Sequence, residues 1–271
     1  MLRDKLLRRL SEMGDAPDHQ RLAVEVLGIR GAPPDLARKL IAQALVLEDR
    51  RDGWRRTGER VCRDAPATPG VYVLKDADGR ALYVGKAVNL RRRLRAHFAD
   101  RRWRVLKPEM SRVSVAEWVE VGSDLEALLR EAALIHELRP AVNVQVAAPR
   151  LVTRAVPRAL LRDVIVIVPS IDAASVELVA ARLDGGWMML RSRRSGVDLR
   201  AHAGRLGRFF RSDALVSSAP LAPIVFSWLA HRGASASRLD PHDVPSAKGL
   251  VLRLAALLRD ERLFQERLEQ S

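Results

Sequence analysis

The sequence predicts an α+β protein in three parts, and three observations carry that reading. Residues 1–65 show mainly helical spacing of apolar side chains. Residues 66–148 set two short apolar runs around an Asp78-Gly79 turn, ahead of amphipathic helices. Residues 149–271 alternate strand-like and helix-like patterns, as an α/β accessory domain would. A chain of 271 residues, 48% hydrophobic and 30% charged, is ordinary globular material for one to three domains. Its charge is not ordinary: 47 Lys+Arg against 33 Asp+Glu give a net +14. Such a surface attracts polyanions, nucleic acid above all. The single cysteine, Cys62, excludes an internal disulfide, a multi-thiolate zinc site and a cysteine-ligated cluster. Met1-Leu2-Arg3-Asp4-Lys5 lacks the apolar core of a signal peptide, and Val164–Val168 is too short to cross a bilayer. The expected setting is the cytoplasm, at the nucleoid, with no membrane partner.

In the first part, Leu2, Leu6, Leu7 and Leu10 form one stripe, and Leu22, Val24, Val26 and Leu27 a second that Gly28 ends. Pro33-Pro34 opens a third helix through Leu36, Leu40, Ile41 and Leu45. Val46–Trp54 then reads as a strand and a turn at Gly53. Three helices and a basic hairpin suit a winged helix that binds DNA; a helical cap on the next domain suits the pattern equally.

In the central part, Gly70–Lys86 reads as a β-hairpin, with Tyr72 and Tyr83, the only tyrosines of the chain, as cross-strand neighbours. Asn89 is a good N-cap for a helix whose Leu90, Leu94 and Phe98 share a face. Arg93 borders that stripe on one side and Arg91 and Arg95 on the other, while Arg92 points away. Any of the three border arginines suits a phosphate clamp, and the wheel does not choose among them. His97 falls inside the stripe as a packed core histidine. Ser123-Asp124-Leu125-Glu126 is a capping box. In the helix it opens, Glu126, Arg130 and Glu137 form a narrow polar face, and Glu131 falls on the apolar side. A carboxylate there must meet a cation: a border arginine or a divalent metal, with magnesium natural for one carboxylate and water.

Together these residues resemble a known family. Gly70-Val71-Tyr72, Tyr83-Val84-Gly85-Lys86, Asn89–Leu94, Leu125–Ile135 and Pro140–Val144 match the GIY-YIG nuclease domain in order and spacing. The likeness is closest to the N-terminal nuclease of the UvrC excinuclease subunit and its short homologue Cho. The resemblance implies a small central antiparallel sheet flanked by helices and one divalent metal, Mg2+ or Mn2+, held by Glu131. It implies that Tyr83 positions or deprotonates the attacking water with help from Tyr72, and it selects Arg93 as the arginine that stabilises the phosphorane. It implies that Lys86 orients the scissile phosphate, that Asn143 supports the site, and that the product is a single-strand nick. Gly85 would let the backbone approach DNA closely. Arg91, Arg92, Arg95, Arg101, Arg102, Arg104, Lys107 and Arg112 around Trp103 would form a phosphate track with one stacking aromatic.

The expected activity is therefore metal-dependent endonucleolytic nicking of damaged or structured DNA in repair. Residues 149–271 do not resemble the second, RNase H-like nuclease of full-length UvrC, and the helical lead departs from excinuclease order. Carry-over of that system's protein partners thus stays open. No phosphate-loop motif occurs, so ATP is not expected. A DNA-binding protein with a degenerate nuclease domain is one rival, although the intact Tyr/Tyr/Arg/Glu/Asn set argues against it. A restriction or mobile-element endonuclease is the other.

Overall fold

The computed structural model describes residues 2–14, 17–100, 107–143, 156–211, 220–232, 236–244 and 246–260. Helices α1 (Leu2–Met13), α2 (His19–Leu27) and α3 (Pro34–Asp64) open the chain. Asp18 caps α2 by accepting from the Arg21 N–H, and Gly28 ends it in the left-handed region at φ 72°. Leu6, Leu22 and Ile41 close the small core of this bundle.

The expected strand and turn at Val46–Trp54 do not form, and with them goes the winged helix. Helix α3 runs without interruption for 31 residues, about 46 Å at 1.5 Å per residue. A helical glycine at Gly53 costs only about 0.5–1 kcal/mol against alanine. Tertiary packing offsets that cost. Trp54 is 4% exposed, stacks on Phe98 at 4.6 Å and donates its indole N–H to the Phe98 carbonyl at 3.0 Å. Gly58 makes the approach possible, because an added Cβ would lie 2.9 Å from the Phe98 ring. The first half of α3 thus belongs to the helical bundle and the second half to the next core.

That core is built on strands β1 (Gly70–Lys75), β2 (Ala81–Ala87) and β3 (Val115–Glu120), all antiparallel in the order β2-β1-β3. Helices α3 and α4 (Leu90–Ala99) cover the face carrying Tyr72 and Leu74. Helix α5 (Asp124–Leu138) covers Val71, Val73 and Val84 on the other face with Ala127, Leu134 and Ile135. This is the small antiparallel sheet between helices that the sequence resemblance implied.

The third part forms as its hydrophobic pattern predicts. Strands β4 (Val164–Pro169), β5 (Ser175–Ala181), β6 (Trp187–Arg193) and the short β7 (Arg238–Leu239) make a second sheet ordered β6-β5-β4-β7. Every residue of β4 and β5 is buried, because helices lie on both faces. Helices α6 (Leu199–Arg211) and α8 (Ala247–Leu258) pack Leu199, Leu206, Leu250 and Leu254 onto one face. On the other, α7 (Ala222–Arg232) contributes Val225 and Phe226, and α5 returns with Leu125 and Leu129. Helix α5 is therefore a shared wall of two cores.

The seam beside that wall is tight. Glu126, expected on a narrow polar face, is 0% exposed. Its carboxylate accepts from the Gly122 N–H at 3.0 Å and from Arg130 Nε at 2.8 Å, so the reciprocal half of the capping box reaches one residue further back than the usual pattern. Arg191 on β6 lies 3.8 Å from the same carboxylate and donates to Glu177 at 2.6 Å. Burial, more than any other influence, pushes the Glu126 carboxyl above its ordinary value, and the Gly122 N–H pulls it back. Among the described residues, no helix is long and apolar enough to cross a membrane.

Two glycines give opposite expected outcomes. In Gly122→Ala the new Cβ would meet the Ser170 carbonyl carbon at 2.0 Å, so a loss of about 1–3 kcal/mol or more is expected in urea unfolding. Gly53 has open space around it, and Gly53→Ala should gain about 0.5–1 kcal/mol in the same measurement.

Candidate active site

Strand β2 lies at the edge of its sheet, and its outer side is closed by three different devices. The backbone of 141–142 pairs with it, Val142 N–H donating to the Leu82 carbonyl at 2.8 Å. The Asn143 side-chain amide then imitates a strand: its Oδ1 accepts from Val84 N–H and its Nδ2 donates to the Val84 carbonyl, both at 2.8 Å. Two residues on, the Lys86 N–H donates to Glu131 Oε1 at 3.0 Å. Asn143 and Glu131 are thus both tied to the backbone of β2, one register step apart.

Lys86 turns its ammonium to Asp124 Oδ1 at 2.9 Å. Asp124 was read only as part of a cap. Its signal in the sequence was an acid in the first helical turn beside a second acid at 126, a pair that one cap does not need.

Above β2, the aromatic groups form a cluster. The rings of Tyr72 and Tyr83 lie 6.0 Å apart, but in the register Tyr72 faces Gly85, and Leu74 faces Tyr83. The tyrosines are diagonal rather than direct neighbours because the loop is longer than a symmetric turn. Asp76 holds that loop open by accepting from the Asp78 and Arg80 N–H groups, and the register shifts at Leu74/Lys75. Gly85 is buried rather than offered to a partner. An added Cβ there would lie 2.6 Å from the Tyr72 hydroxyl and 2.8 Å from the Tyr83 ring, so the glycine makes room for the phenols.

His97 is buried as expected, but it is more than core. Its Nε2 forms a short hydrogen bond with the Tyr72 hydroxyl. Burial first, and then the Arg93 charge, lower its pKa to about 4, so the ring is neutral. The tautomer assigned from this network leaves Nε2 to accept the phenolic proton. Burial first, then Tyr83, raises the Tyr72 pKa above the usual phenol range, with Arg93 working against them. Tyr72 is a held proton donor, whereas Tyr83 is only half-buried. The sequence signal for His97 was its place four residues after Arg93, one turn along the same helix edge. Burial opposes the Arg93 charge, but hydrogen bonding to Tyr72 and the two phenols together outweigh it and raise its pKa.

Glu131 is half-buried, and no described residue donates to its Oε2. Burial is the largest influence raising its pKa; the Lys86 N–H and the charges of Lys86 and Arg93 oppose it. A carboxylate with one oxygen tied, one open, and an unfavourable desolvation fits a ligand for a hard cation. No group of three or more His, Cys, Asp or Glu stands ready for a metal among the described residues, so a cation here would keep a shell of water.

Other expected contacts are scattered. Arg91 donates to the Ala65 carbonyl at 2.7 Å, while Arg92 and Arg95 are exposed on α4. Arg112 is paired with Asp76 at 2.7 Å. Lys107 donates to the Val142 carbonyl at 3.2 Å and lies 6.0 Å above the Tyr83 ring. Arg101, Arg102, Trp103 and Arg104 lie outside the described residues.

Two measurements probe this cluster. Because the folded His97 binds its proton less readily than the unfolded one, its contribution is complete above about pH 6.5 and is lost on falling to about pH 4. Over that window His97→Gln should show a shallower loss of unfolding free energy than the parent, by up to about 3 kcal/mol. Gly85→Ala should displace Tyr72, seen as altered tyrosine ring resonances, and lower activity by at least about tenfold.

Residues 68–144 match the family model described as a UvrC-like GIY-YIG domain. The UvrABC system protein C of Syntrophus aciditrophicus is 46% identical over 81 residues, 30% of this chain and 13% of that protein. That of Lawsonia intracellularis is 43% identical over 83 residues, 29% of this chain and 13% of the relative. The shared segment is thus a small fraction of those proteins. Among solved structures, the N-terminal GIY-YIG endonuclease domain of UvrC from Thermotoga maritima, bound to magnesium, is 33% identical; the match covers 32% of this chain and 96% of that one, with a TM-score of 0.29. The segment that builds the β2-edge site therefore matches the UvrC-like GIY-YIG domain.

Proposed function

We propose that this protein is a metal-dependent DNA endonuclease that nicks one strand of damaged or structured DNA, acting in repair. The observation that carries the reading is the convergence of Glu131, Lys86 and Arg93 with Tyr83 at one strand edge. Phosphodiester hydrolysis needs an ordered water, positive charge on the non-bridging oxygens and stabilisation of the leaving oxygen. Glu131, through its open oxygen, would hold the divalent cation, which supplies Lewis-acid stabilisation of that leaving group. The magnesium in the T. maritima domain supports this choice of ion.

The remaining roles follow from position. Tyr83, half-exposed, positions the attacking water or, as the phenolate, takes its proton. Arg93 lies at the phenols and offers its guanidinium to the phosphate oxygens. Lys86, steered by Asp124, orients the scissile phosphate. Tyr72 does not touch substrate: with its hydroxyl bonded to His97, it positions Tyr83 and Arg93. Asn143 keeps β2 straight where the site is built.

Incubation with supercoiled plasmid and Mg2+ or Mn2+ should yield open circles, and Glu131→Ala should yield none. Tyr83→Phe and Arg93→Ala should lower turnover by about 100-fold or more while DNA affinity stays within a few-fold. Nicking that persists in Glu131→Ala, or binding and cleavage lost in parallel, contradicts these roles. Defined lesion, flap and mismatch duplexes then rank the substrates.

A further inference from the structure

Helix α6 has an outer face that its own fold does not explain. Leu199, Ala203, Leu206 and Phe209 turn inward. The remaining arc carries Arg200, Ala201, Gly204, Arg205, Gly207, Arg208 and Arg211, with no acid anywhere in the helix. Arg200, Arg205, Arg208 and Arg211 are exposed, and none forms an ion pair with a described carboxylate. This contrasts with Arg8, Arg21 and Arg38 in the first two helices and the start of α3, each within 4 Å of an acid: at 3.9, 2.7 and 3.9 Å. Helix α8, packed beside α6, adds exposed Lys248 and Arg253 and likewise contains no acid.

The glycines are the second anomaly. Each costs an exposed helix about 0.5–1 kcal/mol against alanine. An added Cβ at Gly204 would meet only Arg208 Nη1, at 3.9 Å, so packing does not demand glycine there. At Gly207 the nearest atom is Arg211 Nη2 at 3.2 Å. Side chains on a helix lean toward its N-terminus, so Arg208 and Arg211 drape their guanidinia over the two glycines. The result is a low, flat layer of cations into which a partner's backbone can settle.

We propose that the α6 face, extended by α8, binds the phosphate backbone of nucleic acid and gives the C-terminal domain a gripping role separate from the cutting site. Arginine forks match phosphate oxygens. A bilayer surface fits less well, because most apolar side chains of α6 and α8 are spent in the core and Leu252 is the one large apolar residue these two helices leave exposed, too little for a greasy face. The proposal stands apart from the nuclease reading, since gripping needs neither Glu131 nor a metal.

The test uses the full chain in chelator, so that cleavage cannot intervene, and a fluorescent DNA duplex titrated over a salt series. Arg205→Ala/Arg208→Ala/Arg211→Ala should bind at least about tenfold more weakly at about 0.1 M salt, with a log–log salt slope shallower by about 2–3. Arg8→Ala/Arg21→Ala/Arg38→Ala, with the same change in net charge, should stay within about twofold. Circular dichroism melting confirms that both variants fold. Unchanged affinity and slope in the first variant, or an equal loss in the second, overturns the proposal. So does loss of binding to anionic lipid vesicles with duplex binding intact. An enzyme that fails to nick plasmid but loses duplex binding in the first variant refutes the nuclease reading and leaves this one standing.

Discussion

The unpaired N–H groups along β2 are the constraint on which the site depends. An edge strand in a small sheet must have its donors satisfied or exposed to water. Here a side-chain amide and a carboxylate satisfy two of them, and both groups come from segments that follow in sequence by more than forty residues. Closing the edge in this way delivers Glu131 and Asn143 to the place where Lys86, Tyr83 and Arg93 already converge. The same bonds that complete the sheet gather the residues of the proposed site, and the carboxylate is held there even though its desolvation is unfavourable.

Helix α5 turns that local arrangement into a property of the whole chain. One side of it covers the first sheet and the other enters the core of the second. Glu131 and the buried Glu126 leave the same helix in different directions, one toward the strand edge and one toward Arg130, Arg191 and the Gly122 N–H. A shift of the C-terminal sheet would therefore move the helix that carries Glu131, the proposed cation ligand. Helix α3 plays the corresponding part at the other end, because Trp54 and Gly58 clasp Phe98 on the helix that presents Arg93 and His97.

Much of this was legible in the amino-acid order. Alternating strand-like and helix-like patterns marked the C-terminal sheet and its helices, β4 most plainly, because a strand buried on both faces can read as an unbroken apolar run. Asn89 and Ser123 marked helix starts through chemistry local to a few residues. The motif strings marked Tyr72, Tyr83, Lys86, Arg93, Glu131 and Asn143. Where local signals competed with tertiary packing, they misled: Gly53 looked like a turn, yet Trp54 found a partner in Phe98, 44 residues on, and the helix continued.

What the sequence determined by itself, then, was which elements form outside the Val46–Trp54 stretch and which residue types are available for phosphate chemistry, since periodicity, caps and turns act over a few residues. The tertiary structure alone decided that Gly85 lies under a phenol, that His97 is the partner of Tyr72, that Asp124 steers Lys86 and that Glu126 is sealed in a seam. Each of those depends on which side chains from distant segments share one small volume, and burial and charge, unlike periodicity, have no meaning until that volume is filled.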